Sequence, residues 1–515
     1  MITSRNLVVG KAFFLTLVLL SLAVAHSRAF ASTGPIRFTV DVSPELSSKS
    51  VGGRLLIFMT KSSEPMDMVQ PSFFDFDKVW VAAREVSNLS AGSSIDLNPD
   101  LLAYPNVFSA APGGDYQIMA LLDVDHTFPY SVIGPGDLRS VVVGVRGLKP
   151  ADTEPIKLSL TKKIEDEHPA NDTDSIKLVT FDSPSLSAYW GRPIQMRAAI
   201  LLPPSYATSA KARFPVVYKI HGFGGSHLRA WRDGPALLKK MADGTTPEMI
   251  YVYLDGSCPM GHHEFADSAN NGPWGQALTK EFTPYLESRF RMDGVSSGRF
   301  LTGHSSGGWS TVWLQVNYPD VFGGTWSTSP DPVDFRSFSG ADLTTNSAGN
   351  FYDSVAGKPR NVMRYKGQDL FSWKQYAQFE RVTGEHGGQL GSFEAVFSPR
   401  GIDGRPMQLF DRDTGAVNLF VQKAWSRYNI SQILINNWTI LGPKLKGKLH
   451  LVVGTADNFH LEEAVYLLRD TLKGLGSDAT FEFLQGRDHM DLYQDDLADR
   501  IAREMYTVAR PKGKG

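Results

Sequence analysis

The 515-residue chain contains one cysteine, Cys258, so no intramolecular disulfide can form and stability has to come from core burial. A lone thiol of this kind reads as buried filler rather than as a nucleophile. The chain also lacks a block of basic residues. Its 52 Lys and Arg face 54 Asp and Glu, a formal charge of −2, which leaves no electrostatic footprint for a nucleic-acid partner. No H-E-x-x-H occurs. His262, His263 and Glu264 are adjacent in "GHHEF", but no partner cluster accompanies them, and no metal site is expected. No GxGxxG or Walker loop follows an expected strand, so no nucleotide is implied and no cofactor is called for.

Long hydrophobic runs are missing with one exception. Arg5 and Lys11 precede "AFFLTLVLLSLAVA", and Ala29-Phe30-Ala31 follows, so residues 1–31 read as a secretory signal peptide. The run is shorter than the ~20 residues that span a bilayer, which argues against an uncleaved anchor. Loss of Arg5, Lys11 and Arg28 with the leader takes the formal charge from −2 to −5. A secreted or periplasmic protein with no stable membrane span is expected.

The composition of the full chain, 42% hydrophobic and 21% charged, is that of a globular protein with more than one core. Residues 32–165 show short β-type runs ("IRFTVDV", "GRLLIFMT", "YQIMALLDV", "SVVVGVRGL") between Gly, Pro, Ser and Asp clusters, the pattern of a small β-sandwich. The polar segment "KKIEDEHPANDTDS" opens a linker, assigned to 166–185. From 186 to 512, apolar strands alternate with helical stretches, as in an α/β protein whose mostly parallel sheet is covered on both faces. Residues 336–440 break the rhythm. They read as an insertion carrying a helix or two near the site mouth.

Within that α/β region, Gly303-His304-Ser305-Ser306-Gly307 satisfies G-x-S-x-G. The pentad follows the apolar Phe300-Leu301 and opens a helix at Gly308-Trp309, the strand-turn-helix setting of a nucleophile elbow. A serine hydroxyl needs a base, and the base needs a carboxylate to hold its tautomer. Asp457 after "KLHLVVGTA" and His489 after "TFEFLQGRD" supply them in the order Ser, acid, His. His386, His450 and His460 compete as bases, and Asp488 and Asp491 as acids. "VVYKIHGFGGSH" places glycines Gly222 and Gly224 where backbone can approach a substrate carbonyl, so that an N–H of this loop can join that of Ser306 as oxyanion donors. His221 there reads as loop packing. Trp274 and Trp309 could stack on a sugar or phenolic ring, although core packing is their commoner role.

These pieces resemble the putative-esterase family of α/β-hydrolases, which includes esterase D, enterochelin-type esterases, feruloyl and acetylxylan esterases and mycolyltransferases. The resemblance rests on "KIHGFGG", "FADSANNGPWGQALTKEFTPYLESRFR", "LTGHSSGGWSTVWLQVNYPDVFGGTWSTSP", "GTADNF" and "GRDHMDLY", in family order. It implies an α/β-hydrolase fold, Ser305 as nucleophile, Asp457 as acid and His489 as base. It also implies the backbone N–H groups of Phe223 and Ser306 as the oxyanion hole, with Asp267 and Ser268 beside the acyl or alcohol pocket. The oxyanion loop lacks the cysteine of the cytosolic thioesterase branch. A small-molecule or glycan-linked ester is therefore the expected partner, on carbohydrate, phenolic or siderophore scaffolds. An acyltransferase or serine peptidase of the same fold, or a glycan-binding protein without activity, are the alternatives.

Overall fold

The computed structural model describes residues 36–511, apart from 47–49, 73–76, 125, 127–133, 150–153, 166–170, 346–348 and 385–386. The leader expected at 1–31 lies outside the described residues. No helix among those described is long and apolar enough to cross a membrane.

The N-terminal strands join into one hydrogen-bonded sheet of nine, from Phe38–Val42 to Ile156–Lys163. Within it the strand Val51–Lys61 is flanked by Val79–Leu89 and Gly114–Asp123. Leu55, Ile57 and Met59 point into a core with Phe38, Val40 and Phe108. Leu56 and Phe58, on the other face, join a core shared with Trp309, Trp373 and Phe397 from the C-terminal half. Burial on both faces explains why "LLIFM" reads as a continuous apolar run rather than an alternating one.

The second sheet has eight strands. They are β1 (Ile176–Asp182), β2 (Gln195–Leu201), β3 (Val216–Ile220), β4 (Ile250–Leu254), β5 (Arg299–His304), β6 (Gly324–Thr328), β7 (Leu449–Gly454) and β8 (Thr480–Leu484). Their order is β1-β2-β4-β3-β5-β6-β7-β8. Only β2 runs against its neighbours, and every pair from β4 to β8 is parallel. With helices packed on both faces, this is the α/β-hydrolase fold. The carboxyl ends of β3, β5, β7 and β8 meet along one edge, where loops can converge on a site.

Two expectations need correction. Half of the linker 166–185 is not a connection at all. Residues 176–182 form β1, paired with β2 over seven residues, and Ser183 caps the helix Pro184–Trp190. As an edge strand, β1 is only weakly buried beyond Ile176, so "IKLVTFD" carries little of the apolar signal of a central strand.

The insertion is also richer than a helix or two. It holds the hairpin Asn361–Tyr365/Gln368–Ser372 and the helices Trp373–Thr383, Gln389–Phe397, Leu419–Trp425 and Ile430–Leu445. It bridges the two sheets. Phe379 meets Tyr104 edge-on at 5.5 Å, and Arg54 donates to the carbonyls of Val382 (2.9 Å) and Arg381 (2.7 Å) at the end of helix Trp373–Thr383.

Candidate active site

Ser305 sits between β5 and the helix Ser306–Asn317 with φ 59° and ψ −126°, a backbone conformation that a side chain rarely adopts. The flanking glycines are required by space. A Cβ on Gly303 would lie 2.2 Å from the carbonyl oxygen of Gly307, and one on Gly307 would lie 2.2 Å from that of Ile220. The turn is held by Ser305 N–H donating to Thr328 O (3.1 Å) and by Asp331 N–H donating to Ser305 O (3.2 Å). Ser306 begins the helix, so its N–H is one of the four without an intrahelical acceptor. The loop after β3 abuts this turn. A Cβ on Gly222 would stand 2.9 Å from His304 O and 3.0 Å from Ser305 Cβ, so only a glycine lets Phe223 follow so close to the serine.

The loops after β7 and β8 bring the acid and the histidine together. His489 Nδ1 lies 2.9 Å from Asp457 Oδ2, and Asp457 is fully buried. Phe459 N–H donates to the other carboxylate oxygen at 2.9 Å. Burial by itself would raise the Asp457 carboxyl, but His489 and this N–H outweigh it and hold it below the usual range. Burial likewise pulls His489 down. Asp457 overcomes it, with Asp331 and Asp488 adding to the effect, so the imidazole titrates above its ordinary 6.5. His304, packed at 4.3 Å against His489, is pushed down to about 3 by burial and by that neighbour, and stays neutral. Phe459 closes on His489 edge-on at 4.9 Å. Ser305, His489, Gly222, Phe223 and His304 line one cavity of about 500 Å³.

The competing residues that the structure describes lie outside the Asp457–His489 pair. His450 stacks on Trp326 at 4.3 Å, and His460 is the left-handed residue before helix Leu461–Gly474. His386 lies outside the described residues. Asp488 and Asp491 bond reciprocally to each other's backbone N–H and shape the turn that presents His489. His221 accepts from Gly256 N–H through Nε2 at 2.9 Å, a loop-packing role.

The structure does not bring Asp267, Ser268 or Trp274 to the cavity beside Ser305. Asp267 accepts from Tyr318 Oη and Gln276 N–H, and Ser268 accepts from Asn271 N–H. Trp274 stacks on His263 at 3.7 Å, while Trp309 is fully buried against Trp313. Gly224, at φ 79°, turns the loop after β3 without lining the cavity. Cys258 is half-buried, and burial pushes its thiol up to about 12, away from nucleophilic use. Among the described residues, no three His, Cys, Asp or Glu side chains are grouped to hold a metal. The "GHHEF" residues instead underlie the elbow: Ser310 Oγ donates to Glu264 at 2.8 Å, and burial raises that carboxyl well above its usual range.

Sequence reading missed three residues that hold the site. Asp331 accepts from Ser306 Oγ at 2.6 Å, and burial raises it to about 6. Its position three residues past β6, at the same carboxyl edge as Asp457, was the available signal. Asn458 accepts from His489 N–H at 3.0 Å and donates to Arg364 O at 2.9 Å. Arg364, from the insertion hairpin, pairs with Glu462 and donates to Asp457 O. Nothing in its local sequence marks it.

No curated protein matches the chain by sequence. Among solved structures, the chain is similar to a ferulic acid esterase (14% identity, 65% of this chain and 99% of that one, TM-score 0.41). It is also similar to a fluorophosphonate-binding serine hydrolase of Staphylococcus aureus (15%, 64% and 98%, TM-score 0.40). An S-formylglutathione hydrolase from Agrobacterium tumefaciens compares at 14%, 65% and 95%, with a TM-score of 0.39. The family model described as "Putative esterase" matches residues 188–384, which span the loop after β3, the turn at Ser305 and the first part of the insertion. That stretch belongs to the putative-esterase family of α/β-hydrolases, and the chain that carries it is a carboxylic ester hydrolase.

Proposed function

We propose that the protein is an exported serine esterase acting on carbohydrate-linked, phenolic or siderophore esters through an acyl-enzyme. Ser305 Oγ attacks the ester carbonyl while His489 takes its proton, and Asp457 holds the imidazole and stabilises the imidazolium. The oxyanion rests on the N–H groups of Ser306 and Phe223. His489 then returns the proton to the departing alcohol, and water attacks the acyl-serine by the same route. The observation that carries this reading is the 2.9 Å bond from His489 to the buried Asp457 on the cavity that also holds Ser305. Export rests on the leader-like residues 1–31.

The test is turnover of p-nitrophenyl acetate and covalent labelling by a fluorophosphonate, in the wild type and in Ser305→Ala. Loss of both in the variant is expected. Turnover by Ser305→Ala at the wild-type rate would remove the assignment. A panel of acetyl, feruloyl, glucuronoyl and siderophore esters then ranks the substrates.

A further inference from the structure

The floor of the cavity beside Ser305 is one row of side chains. Lys219 on β3 is paired in parallel register with Tyr253 on β4 and with Thr302 on β5, so the three stand on the same face of the sheet, and all three line the cavity. Helix Arg229–Ala242 adds Arg229 and, one turn later, Asp233.

The charges on this lining do not balance. Asp233 is engaged by Arg232 at 2.8 Å. Among the described residues Lys219 makes no ion pair with a carboxylate, and its ammonium lies over the Tyr253 ring, 5.0 Å from the centroid. The Arg229 guanidinium, at the exposed start of the helix, makes neither an ion pair nor a hydrogen bond among the described residues. With Asp233 paired to Arg232, the charges of Lys219 and Arg229 are left in excess next to the nucleophile. A half-buried ammonium without a counter-ion is costly, and burial lowers the Lys219 pKa even though Asp233 pulls it upward.

We propose that this cavity selects esters that carry a carboxylate, with Lys219 as its charge partner in the floor and Arg229 at the rim. Excess positive charge on the lining matches an anionic ester. Such substrates are half-esters of dicarboxylic acids or acyl esters of hydroxy and phenolic acids. The inference rests on the esterase reading of the same site and adds a substrate class to it.

Two matched pairs of esters test it: p-nitrophenyl hemiglutarate against p-nitrophenyl butyrate, with the carboxylate on the acyl side, and 4-acetoxybenzoate against phenyl acetate, with it on the alcohol side. Wild-type kcat/KM should favour the anionic member of at least one pair by about tenfold at low ionic strength, and salt should erode that preference. Lys219→Met should cut the preference about tenfold. Arg229→Gln, on the exposed helix surface, should cut it about threefold and serves if the first variant folds poorly. Hydrolysis of the neutral esters with no anionic preference in either pair overturns the carboxylate inference and leaves the esterase reading standing. So does a preference that neither variant alters. Absence of both ester turnover and fluorophosphonate labelling would take down the two together.

Discussion

Arg364 Nε donates to the carbonyl oxygen of Asp457 at 2.9 Å, so a residue of the insertion holds the loop that carries the candidate acid. The grip is double. Arg364 N–H donates to Asn458 O at 2.8 Å, and Asn458 in turn binds both Arg364 O and His489 N–H. The insertion is thereby part of the apparatus that aligns Asp457 with His489. Arg364→Met should lower kcat by about ten- to a hundredfold with a smaller change in KM, because a small misplacement of the acid-base pair costs that much. Arg364→Lys should recover only part of the loss, since an ammonium cannot serve Asp457 O and Glu462 in the planar geometry of a guanidinium. Steady-state kinetics of the two variants check this.

Gly307→Ala should disable the protein through shape alone. The new methyl would meet Ile220 O at 2.2 Å and His221 O at 2.7 Å, both backbone atoms that cannot rotate away. Relief requires β3 and the elbow to separate, which costs about 3 kcal/mol by the measure of overpacked cores. It would also pull the oxyanion loop off Ser305. A lowered Tm together with lost ester turnover is expected. Alanine at Gly474, the last residue of helix Leu461–Gly474, where a Cβ meets nothing within 4 Å and φ is not positive, should show neither effect.

The elbow and the downstream acid and histidine were legible in the sequence because each is a local event: an apolar strand ends, and a polar residue follows at the sheet's carboxyl edge. Ser305, Asp457 and His489 all have that signature. Asp331 has it too, but the triad order calls for only one acid. Arg364 and Arg54 had no signature, since their roles depend on which distant carbonyls the insertion brings to them. Strand β1 was hidden for a different reason. An edge strand shows one partner and one weakly buried face, so its pattern fades into the polar segment before it. The substrate contacts expected of Asp267 and Ser268 rest on likeness of motif and that of Trp274 on its aromatic ring alone, and in the structure their polar atoms and rings are occupied by Tyr318, Asn271 and His263.

Arg54 joins the N-terminal sheet to the insertion. Its guanidinium donates to two carbonyls that end the helix Trp373–Thr383, where the helix dipole favours a cation, and it pairs with Glu85 at 2.7 Å. Glu85 is more than half exposed, so that pair adds little. The carbonyl bonds are the larger contribution. Arg54→Met should cost about 2 kcal/mol, from losing charge-assisted bonds and leaving Val382 O buried without its donor. Chemical denaturation should show a lower midpoint, while ester turnover at low temperature persists because no group of the site has moved.

Asp331 gives two pH-dependent signals that Asp331→Asn should remove together. The first is catalytic. His489 must be neutral to accept the serine proton, and its pKa is raised, so activity falls as pH drops through a value above the ordinary 6.5. Asp331 is one of the carboxylates that raise it, so Asp331→Asn should move this acid limb to lower pH. The second is stability. The Asp331 carboxyl titrates at about 6 in the folded chain against an ordinary 3.8. Between those values the unfolded chain has ionised and the folded one has not, so this group lowers stability as pH rises from about 4 to about 6 and adds no further change above. Asparagine cannot ionise, yet its amide oxygen can still accept from Ser306 Oγ. The Tm of Asp331→Asn relative to wild type should therefore climb across that interval and level off above it. A pH–rate profile and a pH series of melting curves check the pair. An unmoved acid limb would mean that Asp331 does not act on His489, and a flat Tm difference would mean that it is ionised in the folded protein as readily as in water.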